Sequence, residues 1–239
     1  MKLVFDIDGV LIDTRKSYRY AIKKTVQHFL EHTIPMKLID EIKSLEGMNN
    51  DWVATHALIN RLLPPTIKPI TFTVIKDYFQ SIYLGPKGLW KKETLIFSRE
   101  QLERLFKATG PLSIITGRTF EEADFALRHF GIRELFDSIT SVESQPEPMD
   151  KSDIRLLALV PNIQVFEKIL YFGDNISDLQ LVQNARSCYP IESVWFTKTL
   201  GSMSVRYVQT IKQTYAPSYI VKTSQEALNL VKNIKGDNT

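Results

Sequence analysis

The residues that could do chemistry stand where apolar runs end. Lys2-Leu3-Val4-Phe5 breaks into Asp6-Ile7-Asp8-Gly9. Side chains two apart on a strand point the same way, so Asp6 and Asp8 leave the strand end together and repel each other. A fold keeps such a pair where a cation binds or a proton has to be moved; the alternative is an ordinary Asp-Gly surface turn. Gly9 permits a sharp turn and a close backbone approach by a ligand. Two further apolar runs end in a similar way. Leu112-Ser113-Ile114-Ile115 leads into Thr116-Gly117-Arg118, and Ile169-Leu170-Tyr171-Phe172 leads into Gly173-Asp174-Asn175-Ile176-Ser177-Asp178. A buried strand by itself needs neither acids nor hydroxyls at these places.

The elements that must position these groups fall into two textures. Residues 14–83 read as helical almost throughout. Tyr18, Ala21, Ile22, Val26, Phe29 and Leu30 form one apolar stripe, followed by Ile39, Ile42 and Leu45. A third stripe, Trp52, Val53, Ala57, Leu58 and Leu62, ends at Pro64-Pro65; a fourth, Phe72, Ile75, Phe79 and Ile82, ends at Gly85-Pro86. From about residue 95 strands and helices alternate. Ser98-Arg99-Glu100-Gln101 is a capping box opening a helix. Helices are expected over 119–130, 152–160, from Asp174 to about 186, and 225–234 capped by Ser224. Further strands are expected at 138–141, 194–196 and 219–221, with Lys235 to Thr239 frayed. Such alternation predicts an α/β fold: a Rossmann-like parallel sheet with helices on both faces. The first strand precedes the helical block and the others follow it. The expected organisation is therefore a core of residues 1–13 and 95–239 with an all-helical cap, 14–94, inserted after the first strand. In such sheets ligands bind at the carboxyl ends of the strands.

Composition narrows the function classes. The chain has 239 residues, 44% hydrophobic and 24% charged, with net charge +3. Its Lys and Arg are scattered, so no nucleic-acid partner is implied. Cys188 is the only cysteine, which excludes an internal disulfide and fits a reducing compartment. The carboxylates at 6 and 8 interrupt any signal-peptide-like run, and no apolar run approaches the ~20 residues of a membrane span. A cytoplasmic location is expected.

The three strand-end motifs, together with one lysine, resemble those of the haloacid-dehalogenase-like (HAD) superfamily of phosphotransferases, and the position of the helical block resembles that superfamily's first cap class. Some cap details, including Asn49-Asn50-Asp51-Trp52, resemble a phosphatase-like subgroup. The resemblance implies that Asp6 is the nucleophile, forming an aspartyl-phosphate, and that Asp8 is the general acid and base. It implies Mg²⁺ as cofactor, held by Asp6, the backbone carbonyl of Asp8, and Asp174, with Asn175 and Asp178 bracing the metal site from behind. Asp174 and Asp178 also suit a capping role at a helix N-terminus. Thr116 and the Gly117 amide would bind the transferring phosphoryl oxygens, although Thr116 also fits an ordinary capping turn. Arg118 would reach the phosphate or face solvent. Dehalogenases typically lack a carboxylate at the position of Asp8, so phosphate esters rather than haloacids are implied.

The family's lysine is the least legible part. Gln145, in Gln145-Pro146-Glu147-Pro148, stands where the family often has Lys-Pro. Lys151 is the only lysine between Lys107 and Lys168 and opens an expected helix. The role of neutralising nucleophile and phosphoryl group falls to it, with Arg155 as substitute and a solvated surface lysine as the bland alternative. Asp13 is expected to cap the first helix of the cap, Trp52 and the tract 72–83 to pack its core, and Cys188 to be an inert buried thiol. His28, His32, His56 and His129 have no mutual ligand spacing. The implied activity is a Mg²⁺-dependent phosphomonoester hydrolase acting on a small phosphorylated metabolite, with a phosphomutase of the same fold or a non-catalytic phosphate-binding protein as alternatives.

Overall fold

The structure, a computed structural model, describes the chain apart from residues 44, 46, 49, 144, 148, 198–204 and 237–239 and the side chains of 205–207. Two compact units are present: Met1–Asp13 with Leu95–Thr239, and Thr14–Thr94. Among the described residues no helix is long and apolar enough to cross a membrane.

The first unit is a six-stranded sheet, every neighbouring pair parallel. β1 (Lys2–Phe5) lies at the centre, between β4 (Leu112–Thr116) and β6 (Ile169–Gly173). β5 (Phe136–Ser141) lies beyond β4, and β7 (Ile191–Phe196) and β8 (Tyr219–Val221) lie beyond β6, giving the order β5-β4-β1-β6-β7-β8. β1, β4 and β6 are buried at every residue, as expected of parallel strands covered on both faces.

The period-2 alternation divides the core in two. Leu3, Phe5, Ile114, Leu170 and Phe172 face one layer, with Leu102 and Leu105 of α5 (Arg99–Thr109), Ala123 and Leu127 of α6 (Phe120–His129), and Ala227 and Val231 of α10 (Ser224–Gly236). Val4, Ile115, Ile169 and Tyr171 face the other, with Leu156 and Leu157 of α7 (Arg155–Ala158) and Leu181, Val182 and Ala185 of α8 (Ile176–Ala185). Phe5 and Phe172 stack across the two central strands with centroids 4.5 Å apart. Two aromatic side chains meeting in this way add about 1 kcal/mol to what their burial gives. They lie immediately before Asp6 and Gly173, so the functional strand ends stand on rigid supports.

Among its described residues the second unit holds four α-helices: α1 (Tyr18–Leu30), α2 (Met36–Lys43), α3 (Asp51–Leu62) and α4 (Phe72–Leu84). Its core contains Tyr18, Ile22, Val26, Ile39, Ile42, Trp52, Leu58, Ile75, Phe79 and Tyr83. Glu93 is buried in this unit and accepts from Ser17 Oγ at 2.8 Å and Tyr83 Oη at 3.0 Å, which satisfies a carboxylate that burial would otherwise penalise.

Several expectations are corrected. Asp13 does not cap α1: it belongs to the two-residue strand β2 (Ile12–Asp13), which pairs with β3 (Thr94–Leu95), and α1 begins after Ser17. The helix expected over 152–160 contracts to the single turn α7, and Lys151 lies in a turn before it. Pro161 closes that segment from one side, and from the other the Asp153 carboxylate turns back to accept from the Arg155 amide at 2.9 Å. The last helix is capped by Thr223, whose Oγ1 accepts from Glu226 N at 3.1 Å, and it runs through Lys235 to Gly236; the rest of the expected frayed end lies outside the described residues. Leu45 lies beyond α2 and is exposed, and Cys188 is exposed rather than buried. The helix α9 (Val205–Tyr215) was not expected. It packs Ile211 against Leu179 and Trp195.

Candidate active site

Sheet order turns three distant motifs into neighbours. Phe5 pairs with Ile114 on one side and Phe172 on the other, so the residues that follow β1, β4 and β6 emerge at the same edge. Asp6 takes the next step along β1, its amide donating to Phe172 O at 2.8 Å. Asp8 sits in the turn beyond, bridged to Ile12, with Gly9 at φ 77°, a left-handed conformation that favours glycine.

Asp6 is almost wholly buried. Its Oδ2 accepts from Lys151 Nζ at 2.7 Å, while its Oδ1 is buried with no hydrogen-bond partner among the described residues. Burial pushes the Asp6 carboxyl well above the usual carboxylate range; Lys151 opposes this, and the charges of Asp178, Asp8 and Asp174 add to it. Lys151, itself buried, also donates to Asp178 Oδ1 at 2.7 Å. Burial works to lower its pKa, but Asp178 and Asp6 outweigh that and hold the ammonium above its ordinary value. The lysine expected from an ambiguous segment thus lies between the two carboxylates. Arg155 instead forms an exposed bidentate pair with Asp153 and cannot substitute for it.

Asp178 is filled with donors. Its Oδ1 takes Lys151 Nζ and, at 2.9 Å, Tyr171 Oη; its Oδ2 takes the amides of Asp174 and Asn175, both at 3.2 Å. Gly173 makes room for it, since a Cβ there would lie 2.2 Å from Asp178 Cβ. Asn175 caps α8, its Oδ1 accepting from Ser177 N at 2.9 Å in a reciprocal box with Asp178. Asp6, Asp174 and Asp178 each bring a carboxylate oxygen within 4.8 Å of the others, a spacing suited to a cation. With both oxygens of Asp178 engaged, the ligand candidates among the three reduce to Asp6 and Asp174. The orphaned Asp6 Oδ1 is the sort of atom a hard divalent ion would satisfy.

Thr116 ends β4 fully buried, and its Oγ1 accepts from the Arg118 amide at 3.2 Å. A Cβ on Gly117 would meet no atom of the described residues within 4 Å, so their packing does not demand glycine there. Arg118 faces neither solvent nor an open strand-end surface: its Nε and Nη2 donate to Asp8 Oδ1 at 2.9 and 2.7 Å.

Three residues went unread in the sequence. Tyr171 carries a hydroxyl inside an apolar strand, a signal that was available. Burial raises its pKa well above the usual phenol range, and Asp178 adds to the shift. Trp195 donates Nε1–H to Asp174 O at 3.0 Å, a contact set by the pairing of Gly173 with Trp195 and invisible to local pattern. Ser141 donates its hydroxyl to Arg118 O, again through the register of β5 on β4.

The acid, hydroxyl and lysine groups thus gather at the ends of the central strands of a parallel sheet, the place where ligands bind in such folds. The profile of the haloacid dehalogenase-like hydrolases matches residues 3–187, and the chain belongs to that family. It is 28% identical over 181 residues, 74% of its length, to an imidazoleglycerol-phosphate dehydratase from Phytophthora nicotianae, but that match spans only 40% of the longer protein. It is 26% identical over 203 residues to a phosphoglycolate phosphatase from Rhodobacter capsulatus, covering 82% of this chain and 86% of the other. Among solved structures, the phosphatase Tt82 from Thermococcus thioreducens is similar with TM-score 0.67 and 27% identity, over 89% of this chain and 99% of that one.

Proposed function

We propose that the protein is a Mg²⁺-dependent phosphomonoester hydrolase acting on a small phosphorylated metabolite through an aspartyl-phosphate on Asp6. The observation that carries this reading is the state of Asp6: one oxygen held by Lys151, the other buried without a donor among the described residues, at the end of the central strand. The names of the similar phosphatases support the reaction class. Mg²⁺ would be held by Asp6, Asp174 and the Asp8 carbonyl, and when bound it supplies positive charge to the nucleophile and the phosphoryl oxygens, offsetting the burial and the neighbouring carboxylates that raise the Asp6 pKa.

The chain's own groups account for the remaining steps. A carboxylate oxygen of Asp6 forms a bond to phosphorus as the ester P–O bond breaks in line with it. Asp8 gives its proton to the departing alcohol oxygen. Asp8, now ionised, takes a proton from water as the water oxygen attacks phosphorus, and the Asp6–phosphorus linkage breaks to release inorganic phosphate. Lys151 offsets charge on Asp6 throughout, and its own fixed position is secured by Asp178, which Tyr171 and two amides hold in turn. Thr116 and the Gly117 amide bind the phosphoryl oxygens, and the open space beside Gly117 leaves the backbone accessible to them. The helical unit Thr14–Thr94 selects the leaving group, because the core unit carries the groups that act on phosphorus.

The test is release of inorganic phosphate from 4-nitrophenyl phosphate by the full chain, with and without Mg²⁺. Metal-dependent turnover that disappears in Asp6→Asn is expected. Phosphate binding without turnover would replace this reading with a non-catalytic one.

A further inference from the structure

We infer that Arg118 is a positioning residue for Asp8, fixing the carboxylate that exchanges the proton, and is not a binder of the phosphoryl group; the inference rests on the hydrolase reading above. Arg118 Nε and Nη2 converge on a single oxygen, Asp8 Oδ1, at 2.9 and 2.7 Å. Burial is unequal across the pair: the arginine side chain is 1% exposed and the aspartate 35%. The guanidinium belongs to the interior, and the carboxylate stands at the edge where a substrate oxygen or a water can reach it. A phosphate-binding arginine would have to turn its N–H groups outward. Here two of them are already committed to Asp8.

The supports of the two partners differ as well. Arg118 is fixed at both ends of its backbone unit: its amide donates to Thr116 Oγ1 at 3.2 Å, and its carbonyl accepts from Ser141 Oγ. Thr116 and Ser141 are themselves paired in the β4–β5 register, so the arginine is tied to the sheet. Asp8 lies in a turn beside Gly9, off the end of β1; main-chain bonds from Gly9 N to Ile12 O at 2.8 Å and from Leu11 N to Ile7 O at 2.9 Å close the turn, but they leave the rotamer of the Asp8 side chain unset. A carboxylate in a turn has several staggered wells open to it. A planar fork with two parallel donors selects one of them, which a single ammonium does not do. Because both donors engage Oδ1, Oδ2 is the oxygen left to carry the proton. Misplacement of a reacting group by about 1 Å costs roughly 10²-fold in rate, and that is the loss the arginine prevents.

The experiment compares wild type with Arg118→Met, Arg118→Lys, Asp8→Asn and the Arg118→Met/Asp8→Asn double variant. For each, kcat and KM are measured with 4-nitrophenyl phosphate, together with the inhibition constant of inorganic phosphate and the melting temperature. A positioning role predicts that Arg118→Met lowers kcat about 10²-fold while the inhibition constant for phosphate moves by less than about threefold. Arg118→Lys should fall between Arg118→Met and wild type. The double variant should be no slower than Asp8→Asn alone, because the arginine acts through a group already removed. A phosphate inhibition constant that rises in step with the loss of kcat would overturn the inference in favour of phosphoryl binding. Multiplying losses in the double variant, or unchanged turnover in Arg118→Met, would also overturn it. If Arg118→Met does not fold, Arg118→Lys carries the same comparison, since it keeps the charge and loses the fork. A folded wild-type protein that turns over no phosphate ester would sink the hydrolase reading and the inference with it, whereas an active wild type with an unaffected Arg118 variant sinks only the inference.

Discussion

Replacing Lys151 by methionine keeps much of the length and removes the charge, and the structure sets what that should cost. The lysine side chain is 7% exposed, and its ammonium touches Asp6 Oδ2 and Asp178 Oδ1, both at 2.7 Å. Removing one partner of a buried ion pair typically costs about 3–5 kcal/mol, mostly as the penalty of the charge left behind. The loss is not doubled here, because Asp178 keeps Tyr171 and two amides as donors. It falls on Asp6, whose other oxygen already lacks a partner among the described residues. At about 2–4 °C per kcal/mol for a chain of this size, the melting temperature should drop by roughly 6–20 °C near neutral pH. The dependence on pH has a definite sign. In wild type the Lys151 pKa is raised in the fold, so its contribution is complete below the unfolded value of about 10.4 and is lost only as pH rises through the folded value. Without Lys151, the Asp6 carboxyl loses the one opposing influence on its raised pKa. The variant can then relieve its stranded charge by taking up a proton, so its deficit should shrink as pH falls toward about 4 and widen toward neutral. Turnover should fall by about 10²–10³-fold, the cost of deleting a preorganised charge. Thermal melts of the metal-free protein across that pH range, with phosphate release at saturating substrate, measure both quantities. A melting temperature within about 2 °C of wild type at neutral pH, combined with less than a tenfold loss of kcat, would refute the assignment of this lysine as the neutralising group.

The Asp6→Asn variant should lose turnover yet melt no lower than wild type in metal-free buffer near neutral pH. A carboxyl whose folded pKa is raised stabilises the fold below its unfolded value of about 3.9 and loses that contribution as pH rises through the folded one, so the neutral amide removes a penalty that vanishes again in acid. Mg²⁺ should raise the melting temperature of wild type and leave Asp6→Asn unmoved, chelator should stop turnover, and Ca²⁺ should fail to restore it because it accepts higher and looser coordination; full activity in excess chelator would contradict the metal assignment. In the helical unit, Asp51→Asn breaks a partly exposed pair with Lys43 at 2.7 Å, the side chains being 21% and 23% exposed, and should cost about 1 kcal/mol while changing the ranking of substrates and leaving the metal requirement intact. Asn50 is the poorer probe, since its Oδ1 caps α3 through Trp52 N at 2.9 Å and Val53 N at 3.2 Å and its loss would unsettle the helix by about 1 kcal/mol; Asn49 lies outside the described residues.

Local pattern was enough wherever burial repeats with a short period. The strands ending at Asp6, Thr116 and Asp174 were legible because a strand covered on both faces is a continuous apolar run, and a polar residue closing it stands out. The helices around Ile22, Leu58 and Phe79 were legible for the matching reason at a period of 3.6. The one-turn helix after Lys151 was misjudged in length because Asp153 and Pro161 compete with it locally. The two-residue strands β2 and β3 are too short to show any period. In α9, Val205, Val208, Ile211 and Tyr215 recur at helical spacing and could have been read.

The partners in the site were a different matter. Asp6 and Lys151 meet only because β1 runs beside β6 and the segment before α7 folds back over that face of the sheet. Arg118, which the sequence leaves between reaching the phosphate and facing solvent, donates to Asp8, 110 residues away, once β4 takes its place beside β1. Asp178 could be recognised as an acid near a helix start, but that its four acceptor positions are filled, and so withheld from a cation, depended on where Tyr171 and Lys151 came to lie. Periodicity reports which face of an element avoids water, a property each segment carries in its own composition. Which charge meets which is decided by distances between segments, and those exist only after strand order, register and helix placement have been chosen by the burial of the whole core. The sequence therefore determined the kinds of group and the strand ends that carry them, while the tertiary structure decided their pairing.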